Sequence, residues 1–152
     1  MMKYLLLLVT IFLTTNVEAG QIKEANRMSD SAILYYVIAS ETRTQDQMLA
    51  VCHVIKNRVA IGGWFGDNIR EVLLKPFQFS SLLPEVKDKM QERTPEQLNQ
   101  AKEAWEIVNL PNNKSDFPAT HFYDDSIPAP SWASKMKFLC KIDNQIFLQE
   151  KR

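Results

Sequence analysis

The feature that most constrains this chain is an unbroken run of eight apolar residues, Ala32-Ile33-Leu34-Tyr35-Tyr36-Val37-Ile38-Ala39, ending in Ser40-Glu41. Ser29 or Asp30 stands before it as a helix cap, so the run reads as a helix to about Ser40. Apolar on every side, such a helix has no solvent face and belongs inside a core. A buried strand is the competing reading, because short apolar runs fit both. The chain is long enough to enclose it: 152 residues, 45% hydrophobic and 24% charged, support one core.

The flanking segments carry clearer signals. Thr44 and Gln47 have capping-box spacing and open a helix from about Gln45 to Val59, with Met48, Val51, Cys52, Ile55 and Val59 on one face and Gly62-Gly63 at its end. Asp67 caps a short helix, Asn68 to Leu74, that Pro76 stops. Leu82 to Arg93 is charged and reads as a solvated connection or short exposed helix. Thr94, Pro95 and Gln97 mark another helix start, followed by Leu98, Ala101, Trp105 and Val108 at helical spacing and closed by Pro111-Asn112-Asn113. Thr120 to Tyr123 alternates like a strand. Phe138 to Ile142, the turn Asp143-Asn144, and Gln145 to Leu148 read as a hairpin. No internal repeat appears, and the class is α+β, mostly helical with a small C-terminal β-hairpin element.

The first residues read as an address. Met1-Met2-Lys3 is a short positive start, Tyr4 to Leu13 is apolar but too short to span a bilayer, and Val17-Glu18-Ala19 offers a cleavage site. Residues 1–19 are therefore expected to be a secretory signal peptide, 20–29 a lead-in and 30–150 the functional domain. The product is expected outside the cytoplasm, in the periplasm, the extracellular space or the cell wall, with no membrane span once the signal is cut. Export leaves Cys52 and Cys140 as a candidate disulfide, with two free thiols as the alternative. Eighteen Lys and Arg against eighteen Asp and Glu give zero net charge, which argues against a nucleic-acid partner. The two Cys and two His do not have finger spacing, so no metal site is expected.

Glu41 is the most informative candidate for chemistry. It follows the apolar helix interior at the helix's C-terminal end, where burial and the helix dipole both disfavour the charged carboxylate, the condition a general acid requires. The competing reading is an ordinary loop Glu, and nearby Arg43 opposes the effect. Gln78 and Ser80 flank Phe79 in Pro76-Phe77-Gln78-Phe79-Ser80, a segment that either lines a polar groove or is pinned by two core Phe. Alternation puts His121 and Tyr123 on one face and Thr120 and Phe122 on the other. His121 with Tyr123 suits a sugar or a structural role. Trp132, in a Pro-rich loop, is a stacking platform or a plug on the core. Asn57 and Arg58 end their helix as supporting polar groups. No Gly-x-Ser-x-Gly, His-Glu-x-x-His or phosphate-binding loop competes.

Five stretches, in order, resemble the SleB-type cell-wall hydrolase family, the catalytic domain of spore cortex-lytic enzymes and related bacterial and phage lysins. Ile38-Ala39-Ser40-Glu41 resembles the segment with the family's catalytic Glu, and Met48 through Val59 its helix ending in Asn57-Arg58-Val59. Gln78-Phe79-Ser80 resembles its Gln-Phe-Ser motif. Ala119-Thr120-His121-Phe122-Tyr123 with Pro130-Ser131-Trp132-Ala133 resembles its Thr-His-Phe-Tyr and Pro-x-Trp-Ala pair, and Ile142 through Phe147 its closing hairpin. Three positions depart from the pattern. No Gly follows Glu41, Gln145 stands where His is common, and Asp124 stands where Asn is common.

The resemblance implies a lysozyme-like fold and cleavage of the MurNAc–GlcNAc β-1,4 bond of peptidoglycan, without metal or organic cofactor. It makes Glu41 the catalytic acid, with Gln78, Ser80, His121, Tyr123 and Trp132 binding the sugar and Asn57, Arg58 and Thr120 supporting them. A single carboxyl group fits a lytic transglycosylase. A muramidase with Asp124 or Asp125 activating water, and a non-catalytic peptidoglycan-binding envelope protein, are the alternatives.

Overall fold

The apolar run is a helix. In the computed structural model, which describes residues 27–76, 78–82, 93–113 and 116–151, α1 spans Asp30–Glu41 and buries Ile33, Leu34, Tyr36, Val37, Ile38 and Ala39. Its start is set by Ser29, which is extended and accepts a hydrogen bond from the Ala32 N–H at 3.2 Å. A cap and a length of twelve residues decide against the strand alternative. Each buried aliphatic side chain here contributes about 1.5–3 kcal/mol.

Where α1 ends, side chains from elsewhere take up the carbonyls that a terminating helix leaves unpaired. Thr42 is already extended, and its hydroxyl donates to Ile38 O at 2.6 Å. Arg93 donates to Ala39 O at 3.4 Å and Gln145 Nε2 to Glu41 O at 2.5 Å. The end of α1 is thereby tied to two distant parts of the chain.

Helix α2 spans Gln45–Ile61, two residues beyond the expected end. Its burial exceeds one face: Ala50, His53, Val54 and Arg58 are buried along with Met48, Val51, Cys52 and Ile55. Thr44 caps it as expected, accepting from the Gln47 N–H. Gln47 does not return the bond to Thr44. Fully buried, it accepts from the Arg43 N–H at 2.8 Å and donates to Asn144 Oδ1 and Ile142 O at 2.8 and 3.3 Å. The capping-box partner is thus a tether to the hairpin. Gly62, at φ +65°, closes α2 by donating its N–H to Arg58 O.

Helix α3 spans Ile69–Leu74. Asn68 caps it, one residue after the expected Asp67, whose carboxylate instead accepts from the Gly63 N–H. Helix α4, Pro95–Val108, carries the complete capping box foreseen for Thr94 and Gln97. Lys56 of α2 donates to Val108 O at its far end. Helix α4 packs on both α1 and α2, and α3 packs on the same pair.

Three strands, β1 (His121–Asp124), β2 (Met136–Ile142) and β3 (Gln145–Glu150), form an antiparallel sheet in the order β1-β3-β2. The hairpin is longer than expected at both ends. Its turn places Asp143 at φ +51°, a conformation that Asp tolerates better than most residues. Strand β3 is central, and its Phe147 is fully buried against Phe117 and Phe122. Polar side chains of α2 hold the sheet to the helices: Asn57 donates to Phe117 O and Ala119 O, and Arg58 to Thr120 O, all at 2.8 Å.

The α+β class is borne out. Cys52 and Cys140 are free thiols, so the disulfide alternative is corrected. Cys52 is sealed in the middle of α2, where burial pushes its thiol up to about 12. The expected signal peptide, most of the lead-in and most of the Leu82–Arg93 connection lie outside the described residues. Among those described, no helix is long and apolar enough to cross a membrane.

Candidate active site

The junction of α1 with the sheet leaves a groove of ≈ 790 Å³. Glu41 stands on its wall, half-buried, at the last position of α1. The carboxylate is held by a turn packed beside α1. Ser80 Oγ lies 3.0 and 3.2 Å from its two oxygens, and the Ser81 N–H donates to Oε1 at 2.7 Å. Both donors come from a single 3-10 turn, Ser80–Leu82, that buried Phe79 anchors. The Ser80 O–H is therefore directed at Glu41, which leaves the acceptor lone pairs of its oxygen for a ligand in the groove.

Beneath Glu41 lies Arg58, only 3% exposed. Its Nε donates to Thr120 O, and its guanidinium carbon lies 5.4 Å from the Phe65 ring centre and 5.2 Å from that of Phe79. Burial pulls the guanidinium down to about 10, against the attraction of Glu41 and Glu150, which leaves a cation at neutral pH. No carboxylate among the described residues pairs with it within 4 Å. Its Nη1 is buried without a hydrogen-bond partner.

Strand β1 supplies the opposite wall. His121 packs edge-on against Phe65 and lies 5.3 Å from Trp132, while Tyr123 meets Trp132 at 6.0 Å. His121 Nδ1 and Thr120 Oγ1 are 3.0 Å apart. Burial, then the nearby Arg58 charge, draws His121 down to about 4, so it enters the site neutral. The alternation expected of this strand holds, although Phe122 also reaches the groove while stacked on Phe147.

Of the residues expected at a site, Glu41, Arg58, Gln78, Ser80, His121, Tyr123 and Trp132 all line the groove. Asn57 and Thr120 do not, and they brace β1 from behind. Asp125 is paired with Lys141 and does not line the groove. Asp124 does line it, held below the usual carboxylate range by hydrogen bonds from Ser126, with Arg43 and Asn144 adding to the effect.

Three contributors escaped the sequence. Gln145 is 4% exposed and lines the groove while donating to the Glu41 carbonyl. Glu150 lines it from the end of β3. Trp64 lies 62% exposed at its edge, with Lys75 Nζ 4.3 Å from its ring centre. The sequence signal available for the last was a Trp set between Gly63 and Gly66, both of which take positive φ.

The family model described as Cell Wall Hydrolase matches residues 42–148. The match takes in α2, α3, α4, the Ser80–Leu82 turn and most of the sheet, and it begins one residue past Glu41. No curated protein and no solved structure matches the chain.

Proposed function

The chain belongs to the SleB-type cell-wall hydrolase family, and on that premise we propose that it cleaves peptidoglycan glycan strands at the MurNAc–GlcNAc β-1,4 bond as a lytic transglycosylase. The observation that carries this reading is the Glu41 carboxyl group, fixed on a groove wall by Ser80 and Ser81.

In the proposed reaction, protonated Glu41 gives its proton to the glycosidic oxygen as the C1–O bond breaks. The substrate's own N-acetyl group stabilises the cation at C1, so no second carboxylate is obligatory. The carboxylate then takes the proton of the MurNAc C6 hydroxyl as that oxygen bonds to C1, which closes a 1,6-anhydro ring and returns Glu41 to its starting form. Ser80 and Ser81 keep the carboxyl group aimed through both steps. Neutral His121, Tyr123, Trp132 and Gln78 orient the sugars. A wall substrate requires the protein outside the cytoplasmic membrane, in keeping with the signal-like residues 1–19.

Hydrolysis is the second reading, favoured by Asp124. It lines the same groove and is held as the anion, the form that a base for water needs.

Mass spectrometry of soluble fragments from purified sacculi tests both, with Glu41→Gln beside the native protein. Anhydro-MurNAc ends that vanish in the variant support the transglycosylase. Reducing MurNAc ends move the reaction to hydrolysis. Release of nothing by either protein, with retention on sacculi, leaves a wall-binding protein.

A further inference from the structure

We infer that Arg58 and Gln145 together recognise the 2-acetamido group of a sugar bound in the groove, Arg58 Nη1 donating to its carbonyl oxygen and Gln145 Oε1 accepting from its N–H. This rests on reading the groove as a glycan site.

Three buried polar side-chain atoms of groove residues lack a hydrogen-bond partner: Ser40 Oγ, Arg58 Nη1 and Gln145 Oε1. Ser40 lies beside the Tyr36 hydroxyl, and its own hydroxyl can turn to it. The other two have no such freedom. The Arg58 guanidinium is fixed by Thr120 O on Nε and by Phe65 and Phe79 flanking it, so it cannot swing to Glu41 or Glu150. The Gln145 amide is oriented by its bond to Glu41 O, because the flipped amide would set oxygen against oxygen. What remains is one donor and one acceptor, each at least nine-tenths buried by residue exposure.

Both atoms belong to residues close to the acid. Gln145 holds the Glu41 carbonyl, and the Glu41 charge acts on Arg58. Buried groups left unmet are destabilising, and a charged one most of all. A carboxylate ligand satisfies Arg58 but sets an acceptor against Gln145. A secondary amide offers the complementary pair, and the 2-acetamido group is the secondary amide carried on every sugar of the wall's glycan.

The test is calorimetric titration of the Glu41→Gln protein with a β-1,4-linked N-acetylglucosamine tetramer and with the corresponding glucose tetramer. The two probes are neutral and differ only at C2. The N-acetylated probe is expected to bind at least about tenfold tighter. Arg58→Lys and Gln145→Met, each checked for folding by circular dichroism, are expected to reduce that ratio to about twofold. A purely structural role lowers both affinities together and keeps the ratio, which overturns the proposal. Equal affinities in the Glu41→Gln protein overturn it, as does failure to bind either probe.

If the variants do not fold, nitrogen-15 NMR of the Arg58 side chain decides. Its resonances are expected to shift with the N-acetylated probe and not with the glucose one, and no difference refutes the pair. Because this measures binding without turnover, its outcome is separable from that of the sacculus digest.

Discussion

Thr44-x-x-Gln47 and Thr94-x-x-Gln97 have the same capping spacing, yet the structure gives their glutamines different work. Gln97 is half-exposed and closes a box within its own helix. Gln47 has 0% exposure and bonds three groups: the Arg43 N–H, Asn144 Oδ1 and Ile142 O. Replacing each by Leu keeps the volume, so no cavity forms and the hydrogen bonds are isolated. A net bond contributes about 0.5–1.5 kcal/mol, which gives about 2–4 kcal/mol for Gln47→Leu. Water can reach the exposed Arg43 segment and trims this toward about 3 kcal/mol. The matching fall in melting temperature is roughly 6–12 °C for a domain of this size. Gln97→Leu is expected to cost about 0.5–1 kcal/mol. Urea unfolding of both variants checks the difference. Costs equal within about 0.5 kcal/mol refute the tether, since the standard error of such measurements is smaller than the gap expected. A second readout follows, because Asn144 and Gln145 line the groove. At a temperature where Gln47→Leu stays folded, sacculus cleavage is expected to drop by about tenfold through misplaced hairpin residues.

Other perturbations address the site and its frame. Glu41→Gln is expected to lower the rate of glycan cleavage by about 10²–10⁴-fold, and Ser80→Ala by only about tenfold, because the Ser81 N–H remains; timed release of fragments measures both. The depressed His121 value, about 4, means that the unfolded chain binds more protons between pH 4 and 6.5. Stability from this group is thus full above pH 6.5 and lost on acidification, by about 1–2 kcal/mol after allowance for partial exposure. His53, also drawn down by burial, acts with the same sign, so His121→Asn is expected to flatten the pH slope of the urea midpoint without abolishing it. Gly66 has φ +115°, and an added Cβ would stand 2.7 Å from Glu71 Cβ and 2.9 Å from the Glu71 and Val72 backbone. Gly66→Ala is expected to cost about 1–3 kcal/mol by the same urea assay.

The helices were legible because their determinants are local. Ser29, Thr44 and Thr94 each cap the helix whose start they mark. Even the miss at Asp67 is local: two adjacent residues both suit a cap, and Asp67 was drawn to the Gly63 N–H. What the sequence left out is the third dimension. The amphipathic face assigned to α2 understated its burial, because α1, α3 and α4 all pack on it and the chain leading into β1 covers Asn57 and Arg58. Nothing within residues 45–61 announces that cover. Gln47 looked like half of a capping box for the same reason, since its true partners lie about a hundred residues away.

The site divides along the same line, with a chemical cause. His121, Tyr123 and Trp132 were recognisable as groove residues because it is the side chain itself that lines the groove, and strand alternation sufficed to put two of them together. Glu41 was recognisable from its place at the end of an apolar helix. Its closest donor was not, because the Ser81 N–H is backbone and carries no residue signature. The donor's position depends on Phe79 being buried beneath the turn, a tertiary fact. Arg58 and Gln145 are the harder case. Each spends part of its hydrogen-bonding capacity on the fold, which makes it look structural, and keeps one buried polar atom without a partner. Residue type reports total capacity, whereas only the folded arrangement reports what is left over. A structural residue with an unmet buried valence beside a catalytic candidate is therefore where sequence reasoning stops short, and where binding specificity can be carried without a motif.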